Sequence, residues 1–143
     1  MTSASGADAS SIAIVNANVL DSRTGSLLGA RNIFIEEGRI REISANPVAK
    51  AGRTIDLDGL TLMPGLCDAH VHVVAATASF PELQRWSPMY VTARSSELLS
   101  GMLMRGFTTV RDCGGADFGL AQAVDEGYLL GPRVLFSGHA ISQ

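Results

Sequence analysis

The sequence predicts an α/β fold in two parts, a small strand-rich unit followed by parallel βα units. Three observations carry that expectation. Residues 11–62 are short apolar runs broken by turn signals. After Met63-Pro64-Gly65 the texture changes to strand, helix, strand, helix, strand, the order that parallel connections require. Finally, Leu66-Cys67-Asp68-Ala69-His70-Val71-His72-Val73-Val74 sets two imidazoles two residues apart inside a run that otherwise reads as a buried strand.

In the first part, residues 11–63, the expected strands are Ile12-Ala13-Ile14-Val15, Val19-Leu20, Asn32-Ile33-Phe34-Ile35-Glu36 and Arg39-Ile40-Arg41-Glu42-Ile43. Glu37-Gly38 supplies a tight hairpin turn, and Asp21-Ser22-Arg23-Thr24-Gly25 a polar one. Asn46-Pro47 followed by Ala51-Gly52 closes the meander, so the unit is expected to be antiparallel. Residues 1–10 are Ser/Ala/Gly-rich, without the basic and apolar regions of a signal peptide, and read as a flexible tail.

In the second part, residues 64–143, the Pro-Gly pair ends one element and aims the next. The first long helix is expected to start at Ser87, whose hydroxyl can cap it, with Pro88 in the first helical position, and to reach Arg105 before Gly106. Leu98, Leu99, Met102 and Leu103 recur at helical spacing as its packing stripe. Residues 107–113 form the next strand, ending at Gly114-Gly115. Asp117 caps a second helix through Glu126, with Gly127 stopping it, and residues 132–138 give a third strand. A complete parallel barrel takes about 250 residues. Three parallel strands alone would leave an open apolar edge, so this segment is expected to be the front part of a larger fold.

Composition narrows the function classes. The chain has 143 residues, is 46% hydrophobic and carries a net charge of -3, which is globular. Its eleven basic residues are scattered and outnumbered by fourteen acidic ones, so no basic stripe exists to neutralise phosphates and nucleic acid is not an expected partner. No apolar run approaches the roughly 18 to 20 residues of a membrane span. No membrane association is expected, and the expected location is the cytoplasm, or the periplasm or exterior if a leader has been removed. Cys67 and Cys113 sit in apolar strand contexts, where free thiols act as small buried hydrophobes.

The His pair carries the chemistry. Side chains alternate along a strand, so His70 and His72 share a face. By the same parity Asp68 joins them, while Cys67, Ala69, Val71 and Val73 form an apolar opposite face. Neutral imidazole is a common ligand for Zn²⁺ and related ions, and two on one face can converge on a single metal. Asp68 is then placed to orient a ligand from behind. The plainer alternative for a bare His-x-His is a chance pair satisfied by hydrogen bonds. The Pro-Gly turn before it and the βα series after it argue for the metal.

The run Ile55-Asp56-Leu57-Asp58-Gly59-Leu60-Thr61-Leu62-Met63-Pro64-Gly65-Leu66-Cys67-Asp68-Ala69-His70-Val71-His72 resembles the start of the amidohydrolase superfamily, "D-x-x-G-x-x-x-x-P-G-x-x-D-x-H-x-H". Phe107-Thr108-Thr109-Val110-Arg111-Asp112, Gly131-Pro132-Arg133 and Ser137-Gly138 look like its imidazolonepropionase-like and Xaa-Pro dipeptidase-like branch. The resemblance runs from about Ile12 to Gln143.

It implies a small β-sandwich subdomain built from both ends of a polypeptide and a (β/α)₈ TIM-like barrel, of which this chain holds the N-terminal portion. It implies a divalent metal cofactor, two Zn ions per site, with His70 and His72 matching the first-strand ligands. The carboxylated lysine that bridges the metals, two further His and an acid/base Asp would come from the missing part, so no catalytic acid or base is expected within this segment. The expected partners are the remainder of the barrel, on the same or a companion chain, a small-molecule amide substrate and further copies in a homo-oligomer. The activity implied is hydrolysis of an amide or peptide-like C–N bond, in a dipeptide or N-acyl amino acid. A non-catalytic scaffold of the same fold and a deaminase or cyclic-amide hydrolase are the alternatives.

Substrate contacts are sought at the C-terminal ends of barrel strands. Phe80 and Trp86, in the long loop over residues 75–86, would shape an apolar pocket or pack against neighbouring elements. Arg111 would hold a substrate carboxylate through its planar fork or make a structural ion pair with a rim carboxylate. His139, beyond the third strand, would be a substrate contact or a solvated loop residue.

Overall fold

A computed structural model of the chain describes residues 10–140, so all but Ser10 of the expected tail lies outside the described residues. The structure is mixed α/β and divides into two compact units between Pro64 and Gly65. Each is described by itself.

The first unit is one sheet of strands β1 (Ile12–Asp21), β2 (Ser26–Glu36), β3 (Arg39–Ser44), β4 (Arg53–Asp56) and β5 (Thr61–Leu62). β1 pairs antiparallel with β2, and β2 with β3 through the Glu37-Gly38 turn, where both residues take positive φ as a tight hairpin needs. The expected all-antiparallel meander is incomplete. β4 and β5 both return to the other edge of β1 in parallel, Ile12 opposite Arg53 and Asn18 opposite Thr61. The two apolar runs expected at residues 12–15 and 19–20 are one strand, bent at Asn16, which adopts φ 54° where the register with β2 shifts. Ala17, Val19 and Ile33 form the buried centre.

The second unit contains β6 (Leu66–Val71), the short helix α1 (Phe80–Leu83), α2 (Pro88–Met104), β7 (Phe107–Asp112), α3 (Phe118–Asp125) and β8 (Arg133–Phe136). The three strands form a parallel sheet in the order β6-β7-β8. α2 starts as its sequence dictates: Ser87 Oγ accepts the Tyr90 N–H at 3.3 Å and Pro88 occupies the first turn. It stops at Gly106, whose φ of 93° closes the C-terminus. Asp117 caps α3 by accepting the Leu120 N–H at 3.0 Å. The core gathers Val71, Val73, Leu99, Val110, Ala116, Leu120, Ala121 and Val134. Of the expected stripe on α2, Leu99 is buried and Met102 packs against the core, with buried Ser95 on the same helix, while Leu98 is exposed. Truncating a core leucine of this kind costs about 2–5 kcal/mol.

Cys67 and Cys113 are free thiols, but neither is a fully buried hydrophobe: Cys67 is exposed and Cys113 half-buried. Cys67 stands opposite Thr109, not opposite Val110 in the core, which removes it from the packed face. Among the described residues no helix is long and apolar enough to cross a membrane.

Candidate active site

The His-bearing strand departs from simple alternation. Against β7, Asp68 lies opposite Val110 and Val71 opposite Asp112, so three steps along β6 match two along β7. The extra residue is a bulge at Ala69-His70. Cross-strand partners share a sheet face, which puts Asp68 and Val71 on the side of buried Val110 and Asp112. His70 and His72, alternating with buried Val71 and Val73, take the other side and are exposed. Parity therefore misplaces Asp68. Its carboxylate reaches the main chain, where Oδ1 accepts the His70 N–H at 3.0 Å and pins the bulge. Ala69, expected within the packed face, is exposed for the same reason, leaving Val71 and Val73 as the buried residues there.

The two imidazoles stand edge to face with centroids 5.4 Å apart. His72 Nδ1 lies 3.0 Å from the Gly114 carbonyl oxygen. A carbonyl only accepts, so this bond requires the proton on Nδ1 and leaves the neutral ring's lone pair on Nε2. That donor set fits a divalent metal, since a ligating His normally gives its other ring N–H to a carbonyl or carboxylate. His70 and His72 are the residues that would hold it. Among the described residues no group of three or more His, Cys, Asp or Glu side chains converges, so the pair is a partial ligand set.

β7 settles which of Arg111 and Asp112 faces the His side. Asp112 is 0% exposed and its carboxylate is turned to the main chain of Val73, Gly114 and Ala116. Arg111 is exposed on the opposite face, where its Nε donates to the Ala69 carbonyl at 2.8 Å, with Cys113 Sγ 3.6 Å from the same oxygen. A shallow depression of about 360 Å³ beside them is lined by Arg111, Asp112, Cys113, Leu135, Phe136 and Ser137.

Trp86 and Phe80 separate. Trp86 lines a cavity of about 310 Å³ with Val74, Leu83, Val91, Gly115 and Leu120. It stacks edge to face on Tyr90 at 4.9 Å, with the Arg94 guanidinium 5.6 Å from its ring. Phe80, within α1, is 75% exposed. His139 is exposed, and its segment is tied to the loop after β7: Gly115 N–H donates to the Gly138 carbonyl at 2.8 Å and Gly138 N–H to the Ala116 carbonyl at 3.1 Å. Sequence reasoning missed Gly114 as the partner of His72. The Gly114-Gly115 turn signal marked the place without revealing the contact.

The second unit is thus a parallel βα unit with a His pair on its first strand and a Gly-rich loop bonded to one imidazole. Residues 61–143 match the Amidohydrolase family, and the chain belongs to that family. Its structure is similar to that of a prolidase crystallised with N-methylphosphonate-L-proline: 42% identity, TM-score 0.88, covering 93% of this chain and 33% of that one. By sequence it is 32% identical over 85 residues to an ochratoxinase of Aspergillus niger, covering 57% of this chain and 18% of the relative. It is also 42% identical over 48 residues to an imidazolonepropionase of Klebsiella pneumoniae, covering 34% and 12%. The chain thus spans about a third or less of the length of these relatives.

Proposed function

We propose that this chain is the metal-binding front portion of a binuclear amidohydrolase that cleaves an amide or peptide-like C–N bond, in a dipeptide or N-acyl amino acid. The observation that carries this is the His70/His72 pair on one face of β6, with His72 Nδ1 held by the Gly114 carbonyl and Nε2 left to ligate. The likeness to the prolidase supports a dipeptide-like substrate. When bound, the divalent ions would lower the pKa of water and polarise the scissile carbonyl.

This chain's own residues supply position. Asp68 fixes the His70 main chain, Gly114 fixes the His72 ring, and Arg111 stands on the same face with a cationic fork suited to a substrate carboxylate. A pair of imidazoles is too few ligands for a catalytic zinc site. The remaining ligands, the bridging carboxylated lysine and the acid/base come from further barrel strands on the same or a companion polypeptide, and the assembly is a homo-oligomer.

The test is metal content and hydrolysis of Xaa-Pro dipeptides by the complete enzyme and by its His70→Ala/His72→Ala variant. Loss of both in the variant is expected. Wild-type metal content and turnover in the double variant would sink the reading.

A further inference from the structure

We infer that Asp112 is a positioning residue for His72, holding the strand that carries the imidazole and the loop that orients it in one hydrogen-bonded ring. This rests on the reading of His72 as a metal ligand for its functional consequence, though not for its geometry. Asp112 Oδ2 accepts the Val73 N–H at 2.7 Å, on the residue directly after His72. Asp112 Oδ1 accepts the Gly114 N–H at 2.9 Å and the Ala116 N–H at 3.1 Å. The Gly114 carbonyl in turn receives His72 Nδ1. The circuit runs from one carboxylate oxygen through Val73 to His72, across its ring to Gly114, and back to the other oxygen.

Burial makes this arrangement specific. Asp112 sits with Val73, Val110 and Ala116, all at 0% exposure, where a carboxyl group without donors would be strongly disfavoured. Three main-chain donors offset that cost, and an apolar residue at this position would leave them unsatisfied. The loop has little room to adopt another course. A Cβ on Gly114 would come within 2.6 Å of the Ala140 Cβ, and one on Gly115, whose φ is 119°, would collide with the Val74 side chain. The carboxylate therefore holds the peptides on either side of the Gly114 carbonyl, through the Gly114 and Ala116 N–H groups, while the Gly115 N–H on the Gly138 carbonyl fixes the peptide between them; the Gly114 carbonyl so placed selects the ring tautomer.

The deciding experiment compares the full protein with Asp112→Asn and Leu99→Ala, the latter destabilising the same core without removing a hydrogen-bonding group of the circuit. Long-range ¹H–¹⁵N spectra of the imidazoles report the tautomer without metal, and Zn²⁺ titration reports affinity. Expected in Asp112→Asn is a mixed His72 tautomer and a fall of about 10- to 100-fold in Zn²⁺ affinity, with Leu99→Ala like wild type in both. A folded Asp112→Asn protein with a pure Nδ1–H tautomer and wild-type affinity overturns the inference, as does an equal change in Leu99→Ala.

Should Asp112→Asn fail to fold, the unaltered protein still decides. Scalar couplings from the Val73 and Gly114 amides to the Asp112 carboxyl carbon, with His72 protonated on Nδ1, are expected; their absence, or an Nε2–H tautomer, overturns it. An unaltered protein with this tautomer and no affinity for Zn²⁺ supports the circuit and counts against the hydrolase reading alone.

Discussion

Arg111 Nε donates to the Ala69 carbonyl at 2.8 Å, and Ala69 lies in the bulge that carries His70. The bulge is thus held from two sides, by Asp68 on the His70 N–H and by Arg111 on the preceding carbonyl. Arg111→Met keeps the apolar stem and removes the donor. Because the bond is charge-assisted but exposed, its loss should lower stability by about 1 kcal/mol, read from the urea midpoint. An unchanged midpoint would mean that the Arg111 head is free for other partners. If Arg111 also receives a substrate carboxylate, the variant of the complete enzyme should raise KM for free dipeptides more than for their C-terminal amides.

Asn16 and Asp56 make an acid-sensitive joint in the first unit. Asn16 Nδ2 donates to both Asp56 carboxylate oxygens, at 2.9 and 3.0 Å, and the Asp58 N–H donates to Oδ1 at 2.9 Å. The Asp58 main-chain bond, followed by the Asn16 side chain, holds the Asp56 carboxyl below its ordinary value of 3.8. A depressed value means that the folded state favours the carboxylate more than the unfolded state does. The stabilisation is then fully present above that ordinary, unfolded value and is lost as pH falls through the folded one. Asp56→Asn removes this contribution, so its stability should decline less steeply than wild type on acidification below about pH 4. Parallel declines in urea midpoint across that range would refute it.

Where the sequence is most legible, a local chemical rule decides the outcome. Ser87, Pro88 and Gly106 bound α2, Asp117 caps α3, and Glu37-Gly38 turns the β2–β3 hairpin, each through contacts within a few residues. What sequence leaves open is non-local. Nothing in Arg53–Asp56 or Thr61–Leu62 states that these strands return to β1 in parallel. The bulge at Ala69-His70 depends on register with β7, and strict alternation therefore puts Asp68 on the wrong face. The same holds for Arg111 and Asp112: adjacent charges at a strand end read alike until the sheet shows one exposed and the other buried. His70 and His72 survive this because both follow the bulge or lie in it, keeping their mutual spacing.

Ser87 offers a test of how far α2 depends on its cap. The Ser87 Oγ contact to the Tyr90 N–H is 3.3 Å, long for a cap, and Pro88 already lacks one of the donors that would need satisfying. Ser87→Ala should cost about 0.5–1 kcal/mol, at the low end for caps, and Ser87→Asp should restore it through the helix dipole. Thermal denaturation of the three proteins checks the order. Equal stability of the Ala and Asp variants would show that Pro88 and packing alone define the start.

Gly65, directly before β6, leaves less room for a Cβ than any other glycine of the second unit. A Cβ there would overlap Thr108 Oγ1 and Cγ2 and lie 2.7 Å from Thr108 Cβ, while the Leu66 N–H donates to the Gly106 carbonyl at 2.8 Å. Gly65→Ala must therefore push β6 away from the start of β7 or force Thr108 aside, at about 1–3 kcal/mol. Thr108→Ala removes the two nearest atoms but keeps its Cβ, so it should rescue Gly65→Ala in part; Thr108→Gly should relieve the clash fully, beyond its own backbone cost. A double-mutant cycle isolates the coupling. Additive effects would show that Gly65 is required by the course of the chain after Pro64 and not by its contact with Thr108.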